Sequence, residues 1–252
     1  MVHFVGAGCG AKDLITIRGK EHIEKADVIV YAGSLVNKEL LSYNEKNAKI
    51  YDSAYMTLEE VMNVLIESEK QGLYTVRLHT GDPSMYGAIK EQMDALDSED
   101  ILYDVTPGVS AAFGAAAALK AEYTLPEVSQ TLILTRMSGK TLVKEKESIK
   151  SLASHNATMA IYLSASLAKE LQKELLEGGY RENTPAAVCV KVSWDDERIY
   201  RCNVGTLAKT TEDNNIKKTC IYIIGEAIDP KTYDKSRLYA ADFSTEFRKA
   251  TK

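Results

Sequence analysis

Residues 2–10 read VHFVGAGCG, a short apolar strand that runs directly into a loop with glycine at every second position. A helix is predicted over residues 14–26, and the apolar stretch 28–31 predicts a second buried strand. A strand, a glycine loop, a helix and another strand in this order are typical of a parallel sheet in an α/β protein. The opening thirty or so residues therefore indicate the fold class.

The rest of the chain continues this alternation of strands and helices. The clearest predicted helix covers residues 58–70, where apolar residues recur at helical spacing behind a capping box of Thr57 and Glu60. Residues 220–224 are apolar and β-branched, which predicts a central strand. A polar stretch around residues 120–126 is interpreted as a linker. We therefore predict two α/β domains with mostly parallel or mixed sheets, residues 1–121 and residues 122–252.

The composition is that of an ordinary globular protein. The chain has 252 residues, of which 45% are hydrophobic and 27% are charged, and this excludes disordered and fibrous classes. The net charge of −5 argues against a nucleic-acid coat or a membrane-surface protein, because both need a basic face. The apolar runs are too short to span a bilayer, so we expect no membrane partner and a cytoplasmic protein.

The four cysteines are far apart in sequence and form no C-x-x-C pair. No histidine stands at ligand spacing from a cysteine pair, so no metal site is predicted. Reduced thiols are the expectation, although a disulfide between distant cysteines stays open.

Three loops follow predicted strands, which is where open α/β sheets bind ligands. The first contains Gly6, Gly8 and Gly10, but its glycine spacing is not that of a dinucleotide site and it lacks the lysine of a phosphate loop. The second is TGDPSMYG at residues 80–87, and the third is PGVS at residues 107–110. Each loop alone could equally be a plain turn, sometimes with a helix-capping residue.

Taken together, the loops resemble the tetrapyrrole (corrin/porphyrin) methyltransferase family, which uses S-adenosylmethionine as methyl donor. The segments that carry the resemblance are VGAGCG at residues 5–10, LIT at 14–16, ADVIVY at 26–31, RLHTGDPSMYGA at 77–88, TLILTR at 131–136 and KVSW at 191–194. The resemblance spans essentially the whole chain. It implies two α/β domains with a cleft between them that holds the cofactor, and a homodimer.

Within the family the likeness is greatest to the branch that methylates carbon 11 of precorrin-4, with or without cobalt, on the route to cobalamin. The substrate implied is thus a small tetrapyrrole and not a nucleic acid. The cofactor-binding positions that the resemblance implies are Thr80, Gly81, Asp82, Met85, Ser110 and Ala111. Leu163 and Cys220 of the second half match by their places in the predicted strands. On the substrate side it implies the opening glycine loop, with Gly8 and Gly10.

The substrate carries many carboxylates, which favour Arg and Lys as partners. Arg136 is the first choice because it ends a predicted strand at the junction of the two halves, and Lys191 is a second. Lys12 and Arg77 are further candidates, and each of the four could equally be a surface or structural residue. His79 is interpreted as a structural hydrogen-bonding residue.

The chain departs from the family pattern in two places. Cys9 stands where the family has proline, and Ala11 and Lys12 replace the following Asp-Pro, which adds a positive charge to the loop. No carboxylate follows Tyr31, whereas the uroporphyrinogen branch has one there. This argues against uroporphyrinogen as substrate and leaves the proton acceptor unassigned.

Methyl transfer from a sulfonium to carbon needs alignment above all, so no catalytic residue and no protein-bound metal are assigned. Other hypotheses remain open at this stage. Within the same fold they are methylation of uroporphyrinogen, of diphthine precursors or of ribosomal RNA ribose. Two further hypotheses belong to other classes of protein. They are a nicotinamide-dependent oxidoreductase built on the opening glycine loop and a non-catalytic ligand-binding protein. Binding of S-adenosylhomocysteine or of NADH separates these classes.

Overall fold

Within residues 1–139 and 141–251, which the computed structural model describes, ten strands form two five-stranded sheets. The first sheet has the order β3-β2-β4-β1-β5, and all four pairs of neighbouring strands in it are parallel. Its strands are β1 (Val2–Gly6), β2 (Val28–Tyr31), β3 (Lys49–Asp52), β4 (Thr75–His79) and β5 (Tyr103–Thr106). The parallel sheet predicted from the opening residues is confirmed.

The second sheet is mixed and has the order β6-β7-β10-β8-β9. Its strands are β6 (Leu132–Arg136), β7 (Thr158–Tyr162), β8 (Pro185–Val190), β9 (Arg198–Asn203) and β10 (Cys220–Ile224). β6 is parallel to β7, whereas β10 lies antiparallel to both of its neighbours. β10 is the central strand, as its apolar sequence predicts.

Seven α-helices connect the strands of the described part of the chain. They are α1 (Ile17–Lys25), α2 (Leu58–Lys70), α3 (Ile89–Ser98), α4 (Ala111–Leu119), α5 (Ile149–Ala153), α6 (Ala168–Gly178) and α7 (Leu207–Asp213). Short 3-10 helices lie at Lys12–Leu14, Gly33–Leu35, Lys38–Tyr43, Ser53–Tyr55, Glu145–Glu147, Ala165–Leu167, Val204–Thr206, Glu226–Ile228 and Arg237–Tyr239. None of these helices is both long and apolar enough to cross a membrane.

Local signals explain where two of the helices begin. α2 starts after Thr57, and the reciprocal hydrogen bonds of the predicted capping box with Glu60 are both present. The helix predicted from residue 14 instead begins at Ile17, because the Thr16 hydroxyl accepts the N–H of Gly19 and a 3-10 turn precedes it.

The first sheet buries apolar side chains on both faces, because successive residues of a strand point to opposite sides. On one face Val5, Ile29 and Leu78 pack with Ile23 of α1. The other face packs under α2 and α3, with Phe4 and Val30 against residues that include Leu65 and Leu96. The second sheet has its own core. The four cysteines form no disulfide with one another.

The chain divides into two compact units. The first comprises Met1–Ala115 together with Lys191–Arg198, and the second comprises Ala116–Val190 and Ile199–Lys252. The division falls inside α4, a little before the linker that the sequence suggested. The two-domain prediction did not assign Lys191–Arg198 to the first unit. This segment contacts the opening glycine loop of that unit.

Candidate functional site

Three loops meet at one edge of the first sheet. They follow β1, β4 and β5, which are neighbours in the order β4-β1-β5. Since these strands are parallel, their carboxyl ends lie at the same edge, and the loops are brought together there. The three loops predicted from the sequence are thus neighbours at one edge of the first sheet.

The backbones of these loops approach so closely that two positions require glycine. A Cβ atom on Gly6 would lie 2.6 Å from the nitrogen of Gly108 and 2.7 Å from the oxygen of Gly81. A Cβ atom on Gly108 would lie 2.1 Å from that same oxygen. Gly8 and Gly81 also exchange backbone hydrogen bonds, of 3.2 Å and 2.9 Å between nitrogen and oxygen. The opening glycine loop is therefore joined to the loop after β4 without side chains between them.

Asp82 ties the loop after β4 to the loop after β5. Its Oδ2 accepts the N–H of Gly108 at 2.9 Å, while its Oδ1 accepts the N–H and the hydroxyl of Ser84. Burial of the Asp82 carboxyl opposes its ionisation, but these hydrogen bonds together outweigh that effect and lower its pKa. Asp82 is therefore a carboxylate that fixes loop geometry.

The other predicted cofactor residues of the first unit lie next to the Asp82 hydrogen bonds that join the loops after β4 and β5. Thr80 has a buried hydroxyl oxygen with no hydrogen-bond partner among the described residues. A Cβ atom on Gly81 would lie 3.6 Å from the Cα of Ser110 and 3.9 Å from the nitrogen of Ala111, where α4 begins. Met85 is half-buried, and its N–H donates to the carbonyl of Asp82. The structure thus brings together six of the predicted residues, namely Thr80, Gly81, Asp82, Met85, Ser110 and Ala111.

The other predicted residues belong to the second unit. Leu163 follows β7 with a left-handed φ of 53° and is 66% exposed. Cys220 opens β10, and burial raises the pKa of its thiol to about 11. Arg136 ends β6, and its guanidinium donates to the carbonyls of Met137 and Thr141. Their roles stay predictions.

The basic candidates of the first unit are in different environments. Arg77 is buried in β4, where its guanidinium donates to the Gln92 side chain at 3.0 Å and to the Val30 carbonyl at 3.2 Å. It thus holds the sheet to α3. Lys191 pairs with Asp196 at 2.5 Å. Lys12 is half-buried and has uncharged partners, which are described further below.

His79 ends β4 and is buried, and its Nε2 has no hydrogen-bond partner in the described chain. Burial, together with the positive charge of Arg77, lowers the pKa of His79 to about 3. The imidazole is therefore neutral at physiological pH.

Sequence reasoning missed a carboxylate at the same edge of the sheet. Tyr31, at the end of β2, donates its hydroxyl to Oδ2 of Asp52, at the end of β3, at 2.6 Å. This hydrogen bond lowers the pKa of Asp52. Burial and the Asp52 carboxylate raise the pKa of Tyr31. No sequence signal identified Asp52, because the short strand β3 was not predicted either.

A second cluster involves the amino-terminal half of β1 and lies outside these loops. Potential ligand atoms of His3, His22 and Asp104 lie within 4.8 Å of one another. The Asp104 carboxylate is 2.9 Å from Nδ1 of His3, whose ring stacks on His22 with 4.2 Å between centroids. Nδ1 of His22 is also 2.7 Å from the hydroxyl of Tyr74. Hydrogen bonds and ring stacking account for this arrangement, and the absence of a protein-bound metal stays a prediction.

Comparison with known proteins agrees with the arrangement of the loops. The model of the tetrapyrrole (corrin/porphyrin) methylases matches residues 1–208. The chain is 54% identical over 251 residues to the cobalt-precorrin-4 C(11)-methyltransferase of Methanocaldococcus jannaschii, an alignment that covers 100% of this chain and 97% of that protein. It is 42% identical over 254 residues to the protein of the same name from Priestia megaterium, with 100% and 98% covered.

A solved structure extends the agreement to three dimensions. The X-ray structure of a cobalt precorrin-4 methyltransferase matches with a TM-score of 0.88 at 42% sequence identity, covering 91% of this chain and 96% of that one. Fold and sequence together define a methyltransferase that depends on S-adenosylmethionine. The chain belongs to the tetrapyrrole (corrin/porphyrin) methylase family, and the resemblance seen in its loops is confirmed.

The buried neutral His79 makes a prediction about acid stability. Below about pH 6.5 the unfolded chain binds a proton at this histidine that the folded chain excludes until about pH 3. The free energy of unfolding should therefore decrease as the pH is lowered through that window. This group contributes up to about 1.4 kcal/mol per pH unit.

Urea unfolding between pH 7 and pH 4 tests this for the wild type and for His79→Leu. The difference in unfolding free energy between the two proteins should change steadily across the window. His155→Leu, which removes an exposed imidazole of the second unit, is the control. A wild-type minus His79→Leu difference that stays constant with pH would contradict a neutral buried His79.

Proposed function

We propose that this enzyme methylates carbon 11 of cobalt-precorrin-4, giving cobalt-precorrin-5 in cobalamin biosynthesis. The observation that carries the proposal is 54% identity along the full chain to a protein named for this reaction. The absence of a carboxylate directly after Tyr31 further supports it over uroporphyrinogen methylation. Metal-free precorrin-4 is the second candidate, because the sequence assigns no residue to recognition of the metal.

The reaction forms a carbon–carbon bond at the ring and breaks the bond between sulfur and methyl. Bound S-adenosylmethionine supplies a methyl group already activated by the positive sulfur. The ring carbon provides the electron pair of the new bond, and the substrate loses one proton overall. What the protein contributes is alignment of the reacting atoms, and this alone can supply much of the rate acceleration.

The loops of the first unit suit the binding of the methyl donor. The side-chain hydroxyl of Thr80 is buried and has no hydrogen-bond partner within residues 1–139 and 141–251, which is costly unless a ligand supplies one. Gly81 has a φ of 60° and no side chain, so a ligand can approach its backbone. We therefore propose Thr80, Gly81, Met85, Ser110 and Ala111 as cofactor contacts, with Asp82 holding their loops in place. Leu163 and Cys220 are further proposed contacts from the second unit.

We further propose that Gly8, Gly10, Arg136 and Lys191 lie on the side of the tetrapyrrole. The enzyme is proposed to act in the cytoplasm as a homodimer. Four cysteines that form no disulfide support a reducing compartment. The dimer is supported by the resemblance to the family.

Replacing Thr80 tests whether its unpaired hydroxyl serves the cofactor. Thr80→Val keeps the shape of the side chain and removes the hydroxyl, so we expect unfolding free energy to be unchanged or slightly increased. The Kd for S-adenosylhomocysteine, measured by isothermal titration calorimetry, should rise about tenfold because one hydrogen bond is lost. Thr80→Ser keeps the hydroxyl and is the matched control. Equal affinities for the wild type and Thr80→Val would remove Thr80 from the site.

Replacing Asp82 tests whether its hydrogen bonds between the loops after β4 and β5 support cofactor binding. Asp82→Ala leaves the Gly108 N–H without its acceptor, so both loops lose their fixed spacing. Calorimetry should show the Kd for S-adenosylhomocysteine rising about tenfold, and here the unfolding free energy should also fall, by about 1–3 kcal/mol. Glu59→Ala, which removes an exposed carboxylate of α2, is the control. Unchanged binding by Asp82→Ala would show that the spacing of these loops does not matter to the cofactor.

The reaction itself is tested with a methyl donor labelled with carbon-13. The protein is incubated separately with cobalt-precorrin-4, metal-free precorrin-4 and uroporphyrinogen III, and NMR locates the labelled methyl in each product. We expect one new methyl at carbon 11, formed fastest from the cobalt-loaded substrate. Faster turnover of the metal-free form would favour the second candidate, and methylation of uroporphyrinogen alone would overturn the proposal.

A further inference from the structure

The far end of the opening glycine loop is held by the Trp194 turn, which we define as residues Lys191–Arg198. The Nε1–H of Trp194 donates to the carbonyl of Cys9 at 3.2 Å. The hydroxyl of Ser193 accepts the N–H of Ala11 at 3.0 Å and lies 3.3 Å from the sulfur of Cys9. A Cβ atom on Gly10 would lie 2.3 Å from the Trp194 ring, so the ring rests on the bare backbone there.

The two ends of the loop are therefore fixed by different partners. The Gly8 end is joined to Gly81 by the pair of backbone hydrogen bonds described above. The Cys9–Ala11 end is held by side chains that lie nearly two hundred residues further along the chain, and the Asn37 side chain also donates to the Gly10 carbonyl at 3.0 Å. The turn can thus be weakened by mutation while the Gly8–Gly81 bridge stays intact.

The turn itself is built to hold a fixed shape. Lys191 and Ser193 both have left-handed φ values, of 49° and 64°. The N–H of Ser193 donates to the Glu197 carboxylate at 2.6 Å, and Lys191 pairs with Asp196. These contacts point the Ser193 hydroxyl at Ala11 although the backbone there is one that residues other than glycine rarely adopt.

Lys12 comes directly after Ala11, at the end of the opening glycine loop that the Trp194 turn contacts. Its ammonium donates to the Ser42 hydroxyl at 2.7 Å and lies 4.1 Å from the centre of the Tyr43 ring. Neither partner carries a negative charge, so neither of them neutralises the ammonium. The opposite end of the loop, near Gly81, is instead next to the Asp82 carboxylate. A ligand with several carboxylates is therefore favoured at the Lys12 end.

We propose that Lys12 binds a carboxylate of the tetrapyrrole, and that Ser193 and Trp194 are positioning residues that hold the Cys9–Ala11 segment and thereby Lys12 in place. This inference rests on the proposed function and adds to it a binding residue and the turn that places it. The 3-10 helix that begins at Lys12 is closed by the Leu14 N–H bonding to the Ala11 carbonyl. Fixing the N–H of Ala11 therefore fixes the start of the segment that carries the lysine.

The test is a double-mutant cycle in the full-length enzyme with cobalt-precorrin-4 as the varied substrate. Lys12→Gln should raise KM for the tetrapyrrole about tenfold, because a charge-assisted hydrogen bond is lost. Ser193→Ala and Trp194→Phe should also raise this KM, with a smaller change in kcat and a Kd for S-adenosylhomocysteine within about twofold of the wild type. The double variant Lys12→Gln with Ser193→Ala should be no worse than Lys12→Gln alone.

Two controls separate positioning from general damage. Asp195→Asn changes an exposed residue of the same turn and should leave KM unchanged. Trp194 is the only tryptophan, so its fluorescence reports on the turn alone. Gly10→Ala should shift that emission to longer wavelength, because the added methyl displaces the ring from the loop.

Several outcomes would overturn the proposal. The first is an unchanged KM in Ser193→Ala. The second is a double variant in which the effects of Lys12→Gln and Ser193→Ala on KM multiply. The third is a Ser193→Ala or Trp194→Phe variant whose loss of S-adenosylhomocysteine affinity matches its loss of turnover. A wild-type enzyme that methylates neither form of precorrin-4 would instead defeat the proposed function. An active wild type with unaffected Lys12 and Ser193 variants would defeat the positioning inference alone.

Discussion

Direct contact between backbones at Gly6, Gly81 and Gly108 is the constraint on which the loops of the first unit depend. Gly6 ends β1, and Gly81 and Gly108 follow the adjacent parallel strands β4 and β5. No side chain fits between Gly6 and Gly108. Parallel strands place the loops at one edge, but only glycine lets them meet. Asp82 can then bridge two loops, because the Gly108 N–H lies within 2.9 Å of its carboxylate. The geometry offered to a ligand follows from this close packing.

Much of this could be predicted from the sequence because the relevant signals are local. The glycine loop after β1, the capping box of α2 and the apolar residues of β10 each identified their element from neighbouring residues. β3, α5 and α7 were missed, because the first is a four-residue edge strand with two exposed residues and the other two are helices of only five and seven residues. Short elements at the margin of a sheet carry little hydrophobic pattern from which to be recognised.

The candidate loops were found for a different reason. Gly81, Asp82 and Ser110 were selected by resemblance to a family, and the structure adds the contacts that Gly81 and Asp82 make. Asp82, for example, is engaged with Ser84 and Gly108, which no local pattern reveals. Likewise, the contacts of Ser193 and Trp194 with residues 9–11 join positions far apart in the chain, and one sequence alone contains no signal for such a pairing.

The return of Lys191–Arg198 to the first unit also bears on the order in which the protein is made. The sheet of that unit is complete in sequence by residue 106, yet its opening loop gains the Ser193 and Trp194 contacts only after three strands of the second sheet have been synthesised. An amino-terminal fragment ending at residue 115 would therefore contain every strand of its sheet but leave Cys9 and Ala11 without these partners. During synthesis, the first unit can therefore complete these contacts only after residues 191–198 have emerged, well after its last strand.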